Sequence, residues 1–257
     1  MVRGLFTAYT GMANEQKRLD IIANNLANAA TVGYKEENVT NQAFDDVLTI
    51  KIRDNSEAFV DRPIGRMSLG VKIGEAYTSY TQGSLRQTGN PYHMALEGEG
   101  FFTMSVTNRE GNADIKYTRN GTFTMTRDGH IVDADGNHLM GESGEVIIPT
   151  DAVNVVVDAT GGIYADGNYV DTLLIAGFED YDYLLKSGDT MFETVEGALV
   201  IPATAHVNQG YTEQSNVNVI SEMVDMISVT RAYEANQKVI QSIDQTLDLA
   251  ANSVGKV

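Results

Sequence analysis

This sequence of 257 residues has no cysteine, no tryptophan, only 4 prolines, and 18 basic residues against 35 acidic ones. Without a thiol there is no disulfide framework and no thiolate metal site. A formal net charge of −17 argues against nucleic-acid binding, which needs clustered positive charge to neutralise phosphates. An anionic membrane surface should repel the chain for the same reason. No apolar run approaches the ~18 residues of a transmembrane helix. The stretch from Met1 to Thr10 has one basic residue and then polar interruptions, where a secretory signal has a continuous apolar core. Hydrophobic and charged residues are otherwise in ordinary globular proportion, which excludes wholesale disorder. The length suits one large domain or two modest ones.

The charge is unevenly placed. Residues 1–35 carry four basic and two acidic residues, and residues 216–257 carry three and five, so the ends cancel. Residues 36–215 hold 11 basic and 28 acidic residues, which is the whole net charge.

The ends also carry helical periodicity. Leu5, Met12, Leu19 and Leu26 recur every seven residues. Ala8, Ile22 and Ala29 fall on the alternate half-heptad positions, with Glu15 as a polar exception. No proline precedes Pro63. These features predict a helix from about Arg3 to Asn28. Near the other end Val219, Met226, Tyr233, Ile240, Leu247 and Val254 form a second heptad series, widened by Met223, Ile227 and Ile243. Asn216 or Asn218 is the expected N-cap, and the helix is expected over Val219–Ser253. Each amphipathic helix must meet a partner to bury its stripe. Their unequal lengths would leave roughly ten residues of the longer one, ~15 Å, uncovered. An exposed stripe of that kind predicts self-assembly.

Between the helices the chain reads as β. Asn120-Gly121, Asp128-Gly129, Asp135-Gly136 and Asp166-Gly167 are turn signals. Short β-rich runs separate them, such as Phe123–Thr126, Val153–Val157 and Thr172–Ala176. The expected fold class is α+β: a discontinuous helical domain of paired N- and C-terminal amphipathic helices, with an inserted, mainly antiparallel β domain. The boundaries are 1–35 with 216–257 for the helical domain, 36–74 for a connector, and 75–215 for the β-rich domain.

No catalytic motif is present. The sequence has no G-x-S-x-G, no G-x-G-x-x-G and no P-loop, so no nucleophile elbow and no phosphate cradle. Of His93, His130, His138 and His206, no pair has the i, i+4 spacing of a helical zinc site, and each reads as a polar strand or loop residue. Asp133-Ala134-Asp135-Gly136-Asn137 opens like a calcium loop, but His138 and Gly144 stand where Gly and Glu are required, so it reads as a hairpin turn. No catalytic residue, cofactor or metal is expected. An alternative is a glycan-binding or glycan-cleaving β module using paired acids and Tyr181-Asp182-Tyr183.

Five segments resemble those of bacterial flagellar rod and hook proteins. The first is Ile22-Ala-Asn-Asn-Leu-Ala-Asn-Ala-Ala-Thr-Val-Gly-Tyr-Lys35. The second and third are Gln82–Asn90 and Ala95–Phe102. The fourth is Tyr117-Thr-Arg-Asn-Gly-Thr-Phe123, continued by Asp128–Val132. The last is Glu222–Ile227 with Arg231-Ala-Tyr-Glu-Ala-Asn236. They occur in the family's order, and the chain length favours the distal-rod or proximal-rod type, with the motifs leaning to the distal one. The resemblance implies a non-enzymatic structural subunit. It would leave the cell through the flagellar export apparatus without a cleaved signal. It would stack helically with copies of itself, other rod proteins and hook protein, inside a surrounding ring where the host has an outer membrane. No nucleic acid and no membrane insertion are implied. The expected assembly residues are Leu5, Met12, Leu19, Ile22, Leu26, Val219, Met223, Met226, Tyr233, Ile240 and Leu247. Asn25, Asn28 and Gly33 are expected to form the motif turn.

Overall fold

A computed structural model describes residues 2–50, 63–107 and 113–254. The protein is α+β, with a helix near each end and antiparallel strands between. Helix α1 spans Val2–Ala27 and helix α2 spans Val219–Leu249, followed by a wide π-type turn over Ala250–Val254. Helix α1 runs unbroken because no proline interrupts its i→i−4 bonds. Beyond it the Thr31 N–H donates to the Asn28 carbonyl (3.0 Å) and the Thr31 hydroxyl donates to Asn28 Oδ1 (3.0 Å). Helix α2 starts where Asn218 Oδ1 accepts from the Ile220 and Ser221 N–H groups, 3.1 and 3.3 Å away. At 31 against 26 residues the helices differ by less than their heptads predict, because regular α geometry stops at Leu249. The surplus is roughly 7 Å of helix.

The chain divides into two compact units. One comprises Met1–Leu26, Glu37–Thr78 and Asn218–Val257, the other Ala27–Glu36 and Ser79–Val217. In the first, strand Glu37–Ala43 pairs antiparallel with Val71–Thr78 across a bulge at Val39/Asn41, and Val47–Ile50 pairs with Pro63–Met67. The segment read as a connector therefore forms strands, while its charged run over 51–62 lies outside the described residues. In the same unit α1 and α2 come close. A Cβ on Gly11 would lie 3.0 Å from Asn236 Nδ2, and one on Gly4 would lie 3.7 Å from Ile243 Cδ1.

The second unit is organised by strand Phe101–Thr107. It pairs with Ala113–Thr118 along one edge and with His138–Gly141 and Ile175–Phe178 along the other. Successive side chains on a strand point to opposite faces, so two adjacent phenylalanines seed two cores. Phe102 packs edge-on to Phe123 (5.2 Å) among Met94, Leu96, Met104 and Leu139. Phe101 meets Phe178 and Phe192 at 5.8 and 5.5 Å. Tyr181 lies in a one-turn 3₁₀ helix and stacks on Tyr80 at 4.8 Å, so one of its faces is already occupied.

The turns form as the dipeptides suggest, with two differences. Asp166 and Gly167 both have positive φ, 48° and 82°, as a two-residue hairpin requires. Asp133 Oδ1 accepts from the Asp135 and Asn137 N–H groups (2.9 and 3.0 Å), which closes a turn. Gly121, however, does not have positive φ. It is needed because the Met94 carbonyl occupies the place a Cβ would take. The run Thr172–Ala176 is also not one strand: Asn168–Thr172 ends and Ile175–Phe178 begins on either side of Leu173-Leu174.

Candidate functional site

Helix α2 has one shielded side of mixed polarity and one exposed apolar side. Glu222, Met226, Val229, Tyr233, Asn236 and Ile240 recur every three or four residues and so share one side of the helix. That side is shielded: Glu222 and Val229 are buried, and Met226, Tyr233, Asn236 and Ile240 are half-buried. Ile220, Met223, Val224 and Ile227 also share a side, centred roughly 150° away at 100° per residue. They are exposed, with Ile220 at 76% and Val224 at 60%. On α1, Phe6 and Tyr9 are exposed at 59% and 58%.

The expected assembly residues fall into both groups. Leu5, Met12, Leu19 and Leu26 on α1 are half-buried and Ile22 is buried, whereas Val219, Met223 and Leu247 on α2 are exposed. Ile22 and Asn25 of α1 line one polar groove with Glu37, Val39, Glu222 and Asp225. Asn25 is buried and fixed there: its Nδ2 donates to the Glu37 carbonyl (2.8 Å) and its Oδ1 accepts from the Glu37 N–H (3.0 Å). Glu15, the polar exception in the stripe, pairs with Arg18 one turn on (3.1 Å), so its own helix supplies a partner. The heptad search missed Ile220 and Val224, because they lie off the dominant stripe.

The motif segments do something different in the β-rich unit. Gly33 has φ 73°, and a Cβ there would overlap the Asn120 backbone nitrogen and lie 2.6 Å from the Arg119 carbonyl carbon. The turn at Gly33 delivers Tyr34 and Lys35 into full burial. Lys35 Nζ donates to Glu213 Oε1 and to the Thr81 carbonyl, each at 2.7 Å. Arg119 Nη1 donates to Glu213 Oε2 (3.3 Å) and Nη2 to the Gly98 carbonyl (2.8 Å), with its guanidinium 5.2 Å from the Phe101 ring centroid. The Gly83 N–H donates to Glu213 Oε1 (3.0 Å). Three of the five motif segments thus bond one buried carboxylate, and a fourth holds Arg119 through the Gly98 carbonyl and the Phe101 ring. Burial holds the Lys35 amine below its ordinary value, Arg119 adds to that, and Glu213 opposes it. Nothing in the sequence marks Glu213: it is one acid among 35, and its partners lie 178 and 94 residues away.

Three family models match the chain in order. Residues 5–35 match the flagella basal body rod protein model, and residues 95–165 match the flagellar hook protein FlgE/F/G D1 domain. Residues 208–253 match the flagellar basal body rod FlgEFG protein C-terminal model. The flagellar basal-body rod protein FlgG of Agrobacterium fabrum is 31% identical, covering 98% of this chain and 100% of its own. The flagellar hook-basal body complex protein FlhO of Bacillus subtilis is 32% identical, covering 100% of both. The flagellar basal-body rod protein FlgF of Caulobacter vibrioides is 29% identical, covering 97% and 98%.

Proposed function

This chain belongs to the flagellar basal-body rod protein family, and on that premise we propose that it is a non-enzymatic rod subunit. Its terminal helices pair as a discontinuous domain and assemble with copies of themselves into a tube that transmits torque from motor to hook. The observation that carries this reading is the exposed apolar face Ile220, Met223, Val224 and Ile227. A contiguous exposed apolar helix face marks a surface for another protein. One side is already shielded within the chain, so the other is the surface a neighbouring subunit covers. Fully burying a Val, Leu, Ile or Met side chain is worth roughly 1.5–3 kcal/mol, and about half or more of that remains to be gained at these four.

The acidic charge of residues 36–215 keeps unassembled subunits apart. The chain crosses the inner membrane through the flagellar export apparatus and works outside the cytoplasm, next to other rod proteins, hook protein and a surrounding ring. Among the described residues no helix is long and apolar enough to span a membrane. Electron microscopy of concentrated protein, with and without the terminal helices, tests the reading. Filaments or tubes are expected from the full chain and not from the truncated one. Tubes that persist after truncation would place the assembly surface elsewhere.

A further inference from the structure

Outside the motif junction, three metal-ligand side chains meet on one face of the sheet in the β-rich unit. Strands Ile131–Val132 and His138–Gly141 pair with Val132 opposite His138, and His138–Gly141 pairs with Gly144–Glu145 with Met140 opposite Glu145. Residues two apart on a strand share a face, as do directly opposed residues. His130, His138 and Glu145 therefore project to the same side. Nδ1 of His130 and Nδ1 of His138 each lie 3.4 Å from Glu145 Oε2, and the two rings meet edge-on with centroids 4.9 Å apart. One ligand atom from each of the three residues lies within 4.8 Å of the others. Both Nδ1 atoms are shielded from solvent and neither has a hydrogen-bond partner, although the side chains as wholes are 27% and 31% exposed.

We propose that His130, His138 and Glu145 form a binding site for a borderline divalent transition metal ion, with Zn²⁺ as its best-fitting member. Two imidazole nitrogens and a carboxylate oxygen form a mixed nitrogen–oxygen set, which suits zinc. Calcium and magnesium prefer all-oxygen cages. The spacing fits as well. In a tetrahedral zinc site with bonds of about 2.0–2.1 Å, neighbouring ligand atoms are about 3.3–3.4 Å apart. Both nitrogen-to-oxygen distances here match that edge. A cation between the three groups would satisfy both shielded nitrogens at once, which a single carboxylate oxygen at 3.4 Å does not. The partial exposure of all three side chains leaves a fourth coordination position open to water. Sequence spacing hides this site because the ligands sit on separate strands, and only the hairpin register brings them together.

The test is calorimetric titration of the full chain with Zn²⁺, in excess Mg²⁺ to occupy the many exposed carboxylates, alongside the visible spectrum of the Co²⁺ form. One tight equivalent and a tetrahedral Co²⁺ spectrum are expected. Replacing even an outer-shell partner typically costs 10–100-fold in metal affinity, so losing a ligand should cost at least tenfold. His138→Gln and Glu145→Gln should each do so, with circular dichroism unchanged, and His130→Gln with His138→Gln should abolish the site. His93→Gln and His206→Gln should leave it intact. Zn²⁺ should also raise the melting temperature of the parent chain and not that of the double variant. The proposal fails if no tight equivalent is seen, or if the tight equivalent survives the double variant or changes by less than tenfold in the single ones.

Discussion

Glu213→Gln should be among the most damaging substitutions in the β-rich unit, and the charge arithmetic shows why. Protonated Lys35, Arg119 and ionised Glu213 together carry one net positive charge in a setting where Lys35 and Glu213 are 1% and 0% exposed. Gln keeps the shape and removes the only negative charge, leaving two buried cations facing a neutral amide. Removing one partner of a buried ion pair costs roughly 3–5 kcal/mol, mostly because the remaining charge is unpaired. Lys35→Met moves the balance the other way. It leaves Arg119 and Glu213 as a neutral pair, so its cost should be nearer the ~1–3 kcal/mol of a lost buried hydrogen-bonding group, here the one that served the Thr81 carbonyl. For a unit of this size each kcal/mol moves the melting temperature by roughly 2–4 °C. Glu213→Gln is then expected to lower it by about 6–20 °C, and Lys35→Met by clearly less. Near-ultraviolet circular dichroism during thermal or urea unfolding is a suitable probe, because nine of the twelve tyrosines lie in this unit and there is no tryptophan. Equal losses for the two variants, or a loss below about 1 kcal/mol for Glu213→Gln, would refute the argument from net buried charge.

Other outcomes follow from the same geometry. Val224→Asp and Ile227→Asp alter exposed positions, so they should change monomer stability by about 0.5 kcal/mol or less while abolishing motility when they replace the native copy; swarming on soft agar and urea unfolding read the two effects separately. Gly33→Ala should cost about 2 kcal/mol or more, since it adds a collision with the Asn120 backbone to positive-φ strain. Gly136→Ala, at φ 85° with open space around it, should cost only the strain, about 1–2 kcal/mol, which the same unfolding measurement resolves. Because the amine of Lys35 is held below its ordinary 10.5, the unfolded chain binds the extra proton in the window between the two values. Stability should therefore rise with pH through that window. Tyr117 and Tyr181 are raised by burial, so stability should fall again as pH climbs above about 10. The urea midpoint followed from pH 7 to 11 should show both limbs, and Lys35→Met should lose the rising one.

The helices were legible because their information is local. An uninterrupted seven-residue period and an Asn cap place α1 and the start of α2 to within a residue or two. The exposed apolar face of α2 was legible only in part, through Met223 and Ile227. A heptad search keeps the strongest stripe, and Ile220 and Val224 register only as residues off it. The β-rich unit was legible as antiparallel from its turn dipeptides. Which glycines serve positive φ and which serve close approach depends on a neighbouring strand, so the dipeptide does not show the role of Gly121. Glu213, His130 and His138 were beyond reach for one shared reason. Each acquires its role from partners on other strands, and a single sequence carries no signal of that register.

This division separates the motif-turn residues from the residues expected to meet a neighbouring subunit. Asn25 stands in the last turn of helix α1, Asn28 and Gly33 follow it, and their bonds are internal. Asn25 holds Glu37, Asn28 receives Thr31, and Gly33 lets the chain enter the β-rich unit ahead of Lys35. A buried Lys–Glu–Arg cluster is poor evidence for stability as such, since well-packed apolar side chains often do as well. What it supplies here is a unique pairing of segments far apart in sequence: no other register of strand Tyr211–Glu213 against Leu85–Gln87 would give Lys35 and Arg119 the same carboxylate. The two groups should therefore fail at different stages. Changes at Glu213 or Gly33 act on the folded subunit before any contact forms. Changes at Val224 or Ile227 leave the subunit folded and act only when a neighbour arrives. A Glu213 variant that folds normally and fails only in assembly would show that the cluster belongs to the subunit contact.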